Sequence, residues 1–267
     1  LACPDCRAPL LERGRALACS GCGREYGVAD GVARLLPSGL DERLEPTDPR
    51  WRGWRRLMGR YLVWRRRRWA DPELAGERAR RSRELHRRFL ALCGLQQGCL
   101  VLDIGCGSGH VRDLLPASTR YVGLDPLPGG RDPLSGDLPS GMPAPSGDLR
   151  FVQGVGEALP FADAAFDAAL LMGSLDHSLD PEAVLAEARR VLRPGGTLGV
   201  LQGVARPRSA VARLLADLLG RRGAPATHAH RFTLESVVAL VGRYYPVRSV
   251  EMAAGRALLC AVRDDAR

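Results

Sequence analysis

The chain contains no lysine. Its 39 basic residues are therefore all arginine, and against 30 acids they leave a net charge of +9. No lysine amine can act as a nucleophile or base. There is also no apolar run of the roughly eighteen residues that a membrane-crossing helix needs, so no transmembrane segment is expected. No export signal precedes Cys3, which makes a reducing, cytoplasmic compartment the expectation. The arginine excess has two readings: a GC-rich coding bias, or affinity for phosphate or an anionic surface. Charge alone does not separate them. With 267 residues there is room for one good-sized domain plus something small.

The eight cysteines divide into two groups. Cys93, Cys99, Cys106 and Cys260 are scattered in apolar settings, as small buried residues usually are. Cys3, Cys6, Cys19 and Cys22 form two C-x-x-C knuckles separated by twelve residues. Four thiolates at this spacing suit a closed tetrahedral zinc site with a structural role. A segment of this length cannot build a core, so metal is expected to supply its folding energy. The run from Cys3 to Pro37, ending Gly23-Arg24-Glu25-Tyr26-Gly27-Val28-Ala29-Asp30-Gly31-Val32, resembles the small zinc-ribbon proteins and domains that accompany methyltransferases.

The stretch around which the rest is organised is Val101-Leu102-Asp103-Ile104-Gly105-Cys106-Gly107-Ser108-Gly109-His110. An apolar strand runs into an acid and then into a turn with glycine at every second position. Such a turn lets backbone approach a ligand closely. A dinucleotide fingerprint would place its third glycine three positions after the second, where His110 stands instead. The D-x-G-x-G-x-G pattern resembles the first motif of class I S-adenosylmethionine-dependent methyltransferases. Later segments carry the same resemblance. Asp125 follows a second strand, 22 residues after Asp103. Gly154-Val155-Gly156-Glu157-Ala158-Leu159-Pro160-Phe161 resembles a family run in which an acid usually stands where Val155 does. The run from Leu175-Asp176-His177 through Asp180-Pro181 to Arg193-Pro194-Gly195-Gly196 is similar to the superfamily of quinone, sterol and natural-product methyltransferases.

The resemblance implies an α/β fold, a Rossmann-like seven-stranded sheet, with an N-terminal zinc ribbon. Its divisions would be a ribbon at 1–37, a linker and connector at 38–84 and the methyltransferase domain at 85–267. Strands are expected at 99–104, 121–124, 149–153, 168–172, 197–201, 247–252 and 257–262. Helices are expected at 109–115, 181–192, 208–220 and 234–243. The Pro-, Gly- and Ser-rich 126–149 segment admits no regular helix and reads as a lid or as disorder. S-adenosylmethionine would be held by Asp103, Gly105, Cys106, Gly107, Gly109, His110, Asp125, Gly156, Glu157 and Met172. Asp125 would take the ribose hydroxyls. The peptide N–H groups of the glycine turn and the following helix start would face the methionine carboxylate.

Methyl transfer needs no nucleophilic side chain, only alignment and, for some acceptors, a base. His177 and Asp176 are the candidate catalytic pair; His228 and His230 lie in a loop that could reach the acceptor. All four tryptophans fall in 51–69, where positions 51, 54, 58, 61, 62 and 69 lie near one side of an arginine-rich helix. That helix could dock on the domain, bind a membrane surface or lipid, or contact RNA. Three functions compete. The first is a methyltransferase acting on O or N of a small-molecule acceptor. The second is an RNA methyltransferase: the ribbon resembles that of bacterial rRNA guanine-N1 methyltransferases, although their second knuckle usually contains a histidine and they lack the run beginning at Leu175. The third is a non-catalytic interaction protein with a vestigial methyltransferase fold, supported by Val155 and the 126–149 segment.

Overall fold

The computed structural model describes residues 1–40, 48–68, 71–127, 150–205 and 229–265. Most of 126–149, the helix expected at 208–220, His228 and Trp69 lie outside these residues. The described residues form one mixed sheet, ordered β1-β2-β3-β4-β7-β6-β5-β8-β9-β11-β10. Its expected portion comprises β5 (Leu100–Ile104), β6 (Arg120–Asp125), β7 (Arg150–Gln153), β8 (Phe166–Met172), β9 (Leu192–Gly203), β10 (Val247–Ala253) and β11 (Arg256–Val262). β7, β6, β5, β8 and β9 run parallel, whereas β11 lies antiparallel between β9 and β10. This is the Rossmann-like methyltransferase arrangement. Its parallel strands are buried on both faces, which is why they read as continuous apolar runs.

The N-terminal segment adds four strands to the same sheet: β1 (Leu10–Arg13), β2 (Ala16–Cys19), β3 (Glu25–Ala29) and β4 (Val32–Arg34). They are successively antiparallel, and β4 then pairs parallel with β7 through Ala33 to Val152 and Arg34 to Gln153. The segment builds no core of its own but buries its apolar residues in that of the main sheet. Leu17, Tyr26, Ala33 and Leu35 belong to the main apolar cluster of the sheet, together with Leu102, Val152 and Leu159. Further ties are Ala2 N–H to Pro160 O at 3.0 Å and Leu35 N–H to Gln153 O at 2.8 Å. Arg7 donates to Glu187 at 3.1 Å.

Among the described residues four helices cover the sheet: α1 (Arg52–Arg68), α2 (Pro72–Cys93), α3 (Pro181–Val191) and α4 (Leu234–Gly242). Asp180 caps α3, its Oδ1 accepting from Glu182 N at 2.9 Å and Ala183 N at 3.1 Å, and Pro181 takes the first helical position. Thr233 and Ser236 close a reciprocal cap on α4. α2 sits tight on β9 because Gly199 has no side chain; a Cβ there would lie 2.7 Å from both Phe89 Cζ and Cys93 Sγ. No helix among the described residues is long and apolar enough to cross a membrane.

Because Leu35 joins the N-terminal strands to the main core, Leu35→Ala is expected to destabilise the whole fold by about 2–5 kcal/mol. Thermal unfolding followed in the near and far ultraviolet should shift as one transition. A separate early transition confined to the N-terminal strands would contradict this.

Candidate functional site

The carboxyl ends of β5, β6 and β8 surround two adjoining cavities of about 80 and 180 Å³. Gly105, Gly173, Tyr61 and His177 line both, so the pair forms one bipartite groove. The glycine turn needs its glycines: Gly105, Gly107 and Gly109 have φ of 77°, 57° and 73°. Gly105 is also held by space, since a Cβ there would come within 2.3 Å of Ser174 Cβ. Ser174 Oγ donates to Ile104 O at 2.7 Å and fixes this approach.

One cavity is lined by Asp125, Leu127, Val155, Gly156 and Glu157, with Trp54, Met58 and Tyr61 of α1 above. Asp125 binds the glycine turn to its own loop: Oδ2 accepts from Gly107 N at 2.8 Å and Oδ1 from Leu127 N at 2.7 Å. A carboxylate offers only acceptors, the character that a cis-diol requires. Val155 is buried in a cluster with Trp51, Trp54, Met58 and Leu127. The position where the family run carries an acid thus anchors α1. The Glu157 carboxylate accepts from Leu179 N at 2.7 Å, holding the entry to α3, and burial raises its pKa.

The second cavity is lined by Asp103, Gly107, His110, Met172 and Arg256, among others. Asp103 is buried; Oδ2 accepts from Tyr121 at 2.7 Å, while Oδ1 has no partner among the described residues. Burial raises its pKa to about 7, opposed by the Tyr121 hydrogen bond. His110 Nε2 lies 3.3 Å from His86 Nδ1, and the rings stack with centroids 5.2 Å apart. Ser108 and Ser82 extend this chain at either end, each at 3.4 Å. Burial lowers the pKa of both histidines, that of His86 to about 3, so both are neutral near pH 7. His177 meets Tyr61 edge-on at 4.8 Å, and its Nε2 is 4.0 Å from Asp176 Oδ1. The Asp176 carbonyl accepts from Ala229 N at 2.8 Å.

The Cys106 side chain packs in the core beneath the turn and also borders the second cavity. The element after the turn is a five-residue 3-10 helix, His110–Leu114, too short for a helix-terminus anion site. Trp51 and Trp54 are buried, as the docked reading of this helix expects. The sequence pattern alone does not single out His86, Tyr121 or Arg256. Arg256 is nonetheless marked there as the one charge opening an apolar strand after the Ala254-Gly255 turn. His230 lies 3.3 Å from Leu179 O and stacks on Phe232.

At the N-terminus, the four sulfurs of Cys3, Cys6, Cys19 and Cys22 lie within 4.8 Å of one another. The peptide N–H groups of Cys22 and Gly21 point at Cys19 Sγ, at 3.4 and 3.3 Å, and favour its thiolate. Tyr26 Oη lies 3.1 Å from Cys3 Sγ. The donor set fits a structural zinc ion.

The fold is the Rossmann-like α/β fold of methyltransferases, and residues 102–200 match the family described as a methyltransferase domain. An uncharacterised methyltransferase of Mycobacterium tuberculosis is 32% identical over 145 residues, covering 54% of this chain and 55% of that protein. The ubiquinone/menaquinone biosynthesis C-methyltransferase UbiE of Hahella chejuensis is 33% identical over 162 residues, covering 54% and 61%. The chain thus spans little more than half the length of these relatives. In fold, it is similar to 1,6-didemethyltoxoflavin-N1-methyltransferase of Burkholderia thailandensis, with TM-score 0.54 and 18% identity, covering 92% of this chain and 98% of that one.

Asp103 provides a stability test. Its folded-state pKa, about 7, exceeds the ordinary 3.8. The folded chain therefore binds more protons than the unfolded chain between these values, and the group's contribution to stability falls as pH rises through them. Asp103→Asn keeps an acceptor for Tyr121 and is expected to raise Tm, by more at pH 8 than at pH 5. The gain at pH 8 should be on the order of a few kcal/mol. Thermal melts showing equal gains at both pH values would contradict this assignment.

Proposed function

We propose that the chain is an S-adenosylmethionine-dependent methyltransferase that acts on a small-molecule acceptor at O or N. A C-methyltransferase among its relatives adds carbon to the acceptor atoms considered. The proposed division is a zinc-binding ribbon at 1–37, a connector and roof at 38–84 and the catalytic domain at 85–267. The observation that carries the reading is the bipartite groove, with Asp125 at one end, Asp103 at the other and the glycine turn between them.

In this reading Asp125 takes the ribose hydroxyls, Gly156 and the Glu157 backbone border the adenine, and Gly105, Gly107 and Gly109 admit the cofactor close to the turn. Met172 and His110 line the amino-acid end. When bound, S-adenosylmethionine supplies an electrophilic methyl group on a sulfonium. Tyr61 and Trp64, beside His177, cover the groove and exclude water. His177 is placed where the two cavities meet and takes the proton from an acceptor hydroxyl or amine. Asp176 is a positioning residue that stabilises the protonated imidazole. The inward packing of Trp51 and Trp54 favours this reading over RNA or lipid binding through α1.

Calorimetry with S-adenosylhomocysteine should show micromolar binding, weakened by Asp125→Ala about 10- to 100-fold, as expected for loss of a charged hydrogen-bond acceptor. A folded, zinc-loaded protein that binds neither S-adenosylhomocysteine nor S-adenosylmethionine would overturn the proposal. Elemental analysis should find one zinc per chain, lost in Cys19→Ser.

A further inference from the structure

Arg256 has no part in the reaction as derived so far, yet its surroundings mark it as more than a surface charge. It opens β11, directly after the Ala254-Gly255 turn, and is half-buried. Its guanidinium reaches across the carboxyl ends of β9 and β8; Nη1 lies 3.3 Å from where a Cβ on Gly173 would stand. Its guanidinium makes no hydrogen bond or close ion pair with any described residue. Burial lowers its pKa, an effect that nearby Asp176 opposes. A guanidinium carries five N–H donors and stays charged in proteins. Enclosing one without a hydrogen-bonded partner leaves a desolvation cost that an anionic ligand would relieve.

The same cavity contains a second unmatched group of opposite character. Asp103 Oδ1 is buried and has no partner among the described residues. The cavity, which Arg78 of α2 also borders, therefore presents the Arg256 fork without a hydrogen-bonded partner and an unpaired acceptor on Asp103. The neighbouring histidines do not supply a competing positive charge. His86 is held neutral by burial and by the charges of His110 and Arg256. An α-amino acid, with its ammonium and carboxylate on one carbon, is complementary to that pair of groups.

We infer that Arg256 is the carboxylate anchor for the amino-acid end of S-adenosylmethionine, with Asp103 receiving the ammonium. This assignment rests on the cofactor reading above. It replaces the anion site that the short 3-10 helix after the glycine turn does not provide. It also makes β11, outside the stretch that matches the methyltransferase family, part of the cofactor site. A carboxylate on the acceptor would suit the same fork, so the test has to identify whose carboxylate is bound.

Calorimetry on the full, zinc-loaded chain with S-adenosylmethionine and its decarboxylated analogue makes that distinction, since the analogue keeps the ammonium, sulfonium and nucleoside. Arg256→Gln is expected to weaken S-adenosylmethionine about 10- to 100-fold and to leave the analogue within about twofold, as expected for loss of a charge-assisted hydrogen-bonded pair. Arg256→Lys, which keeps the charge but loses the fork, should fall between wild type and Arg256→Gln on S-adenosylmethionine alone. Unchanged S-adenosylmethionine affinity, or equal losses on both ligands with either variant, would overturn the assignment while leaving the cofactor reading in place. If the wild-type chain binds neither ligand, the cofactor reading fails and the assignment falls with it.

Discussion

The groove depends on one close approach, that of the Gly105 backbone to Ser174. The ends of β5 and β8 meet there with no room for a side chain, and Ser174 locks the contact by donating to the Ile104 carbonyl. Asp125 holds the other side of the turn through the Gly107 N–H. The turn is thus fixed from both flanks before any ligand enters. A rigid, glycine-lined edge of this kind limits what ordering a ligand must do on binding.

Helix α1 is the second determinant. Its arginines and tryptophans invite a surface role, yet Trp51, Trp54 and Met58 pack on Leu127 and Val155 over the groove. Tyr61 and Trp64 extend this roof to His177. The roof, the Asp125 loop and the Val155 turn are therefore one packed unit. The N-terminal strands join it from beneath, where Leu35 and Leu36 lead from the main cluster into the cluster under α1.

Much of this was legible in the sequence because it follows from local chemistry. The apolar run into Asp103, the alternating glycines, the Asp180-Pro181 helix start and the cysteine knuckles each need particular residues at fixed spacing. What escaped depends on distant contacts. Nothing near Val155 says that it supports a helix a hundred residues earlier. His86 meets His110 only because α2 crosses the glycine turn. Arg256 reaches the groove only because β11 inserts between β9 and β10. A short ribbon alone has little to bury, and periodicity does not show that β4 finds β7 and the core beside it.

The pairing of β4 with β7 also decides how the sheet ends. A parallel strand left at the margin would offer a row of unpaired peptide groups to another molecule. Here the margin is carried outward through β4, β3 and β2 to β1, a four-residue strand that carries Glu12 and Arg13. At the opposite margin, β10 has a register shift between Val247 and Ser249 and carries Arg248 and Glu251. Both rims are thus short, charged or irregular, which discourages edge-to-edge polymerisation. The N-terminal strands shield a margin of the parallel sheet from self-association, whatever their cysteines hold.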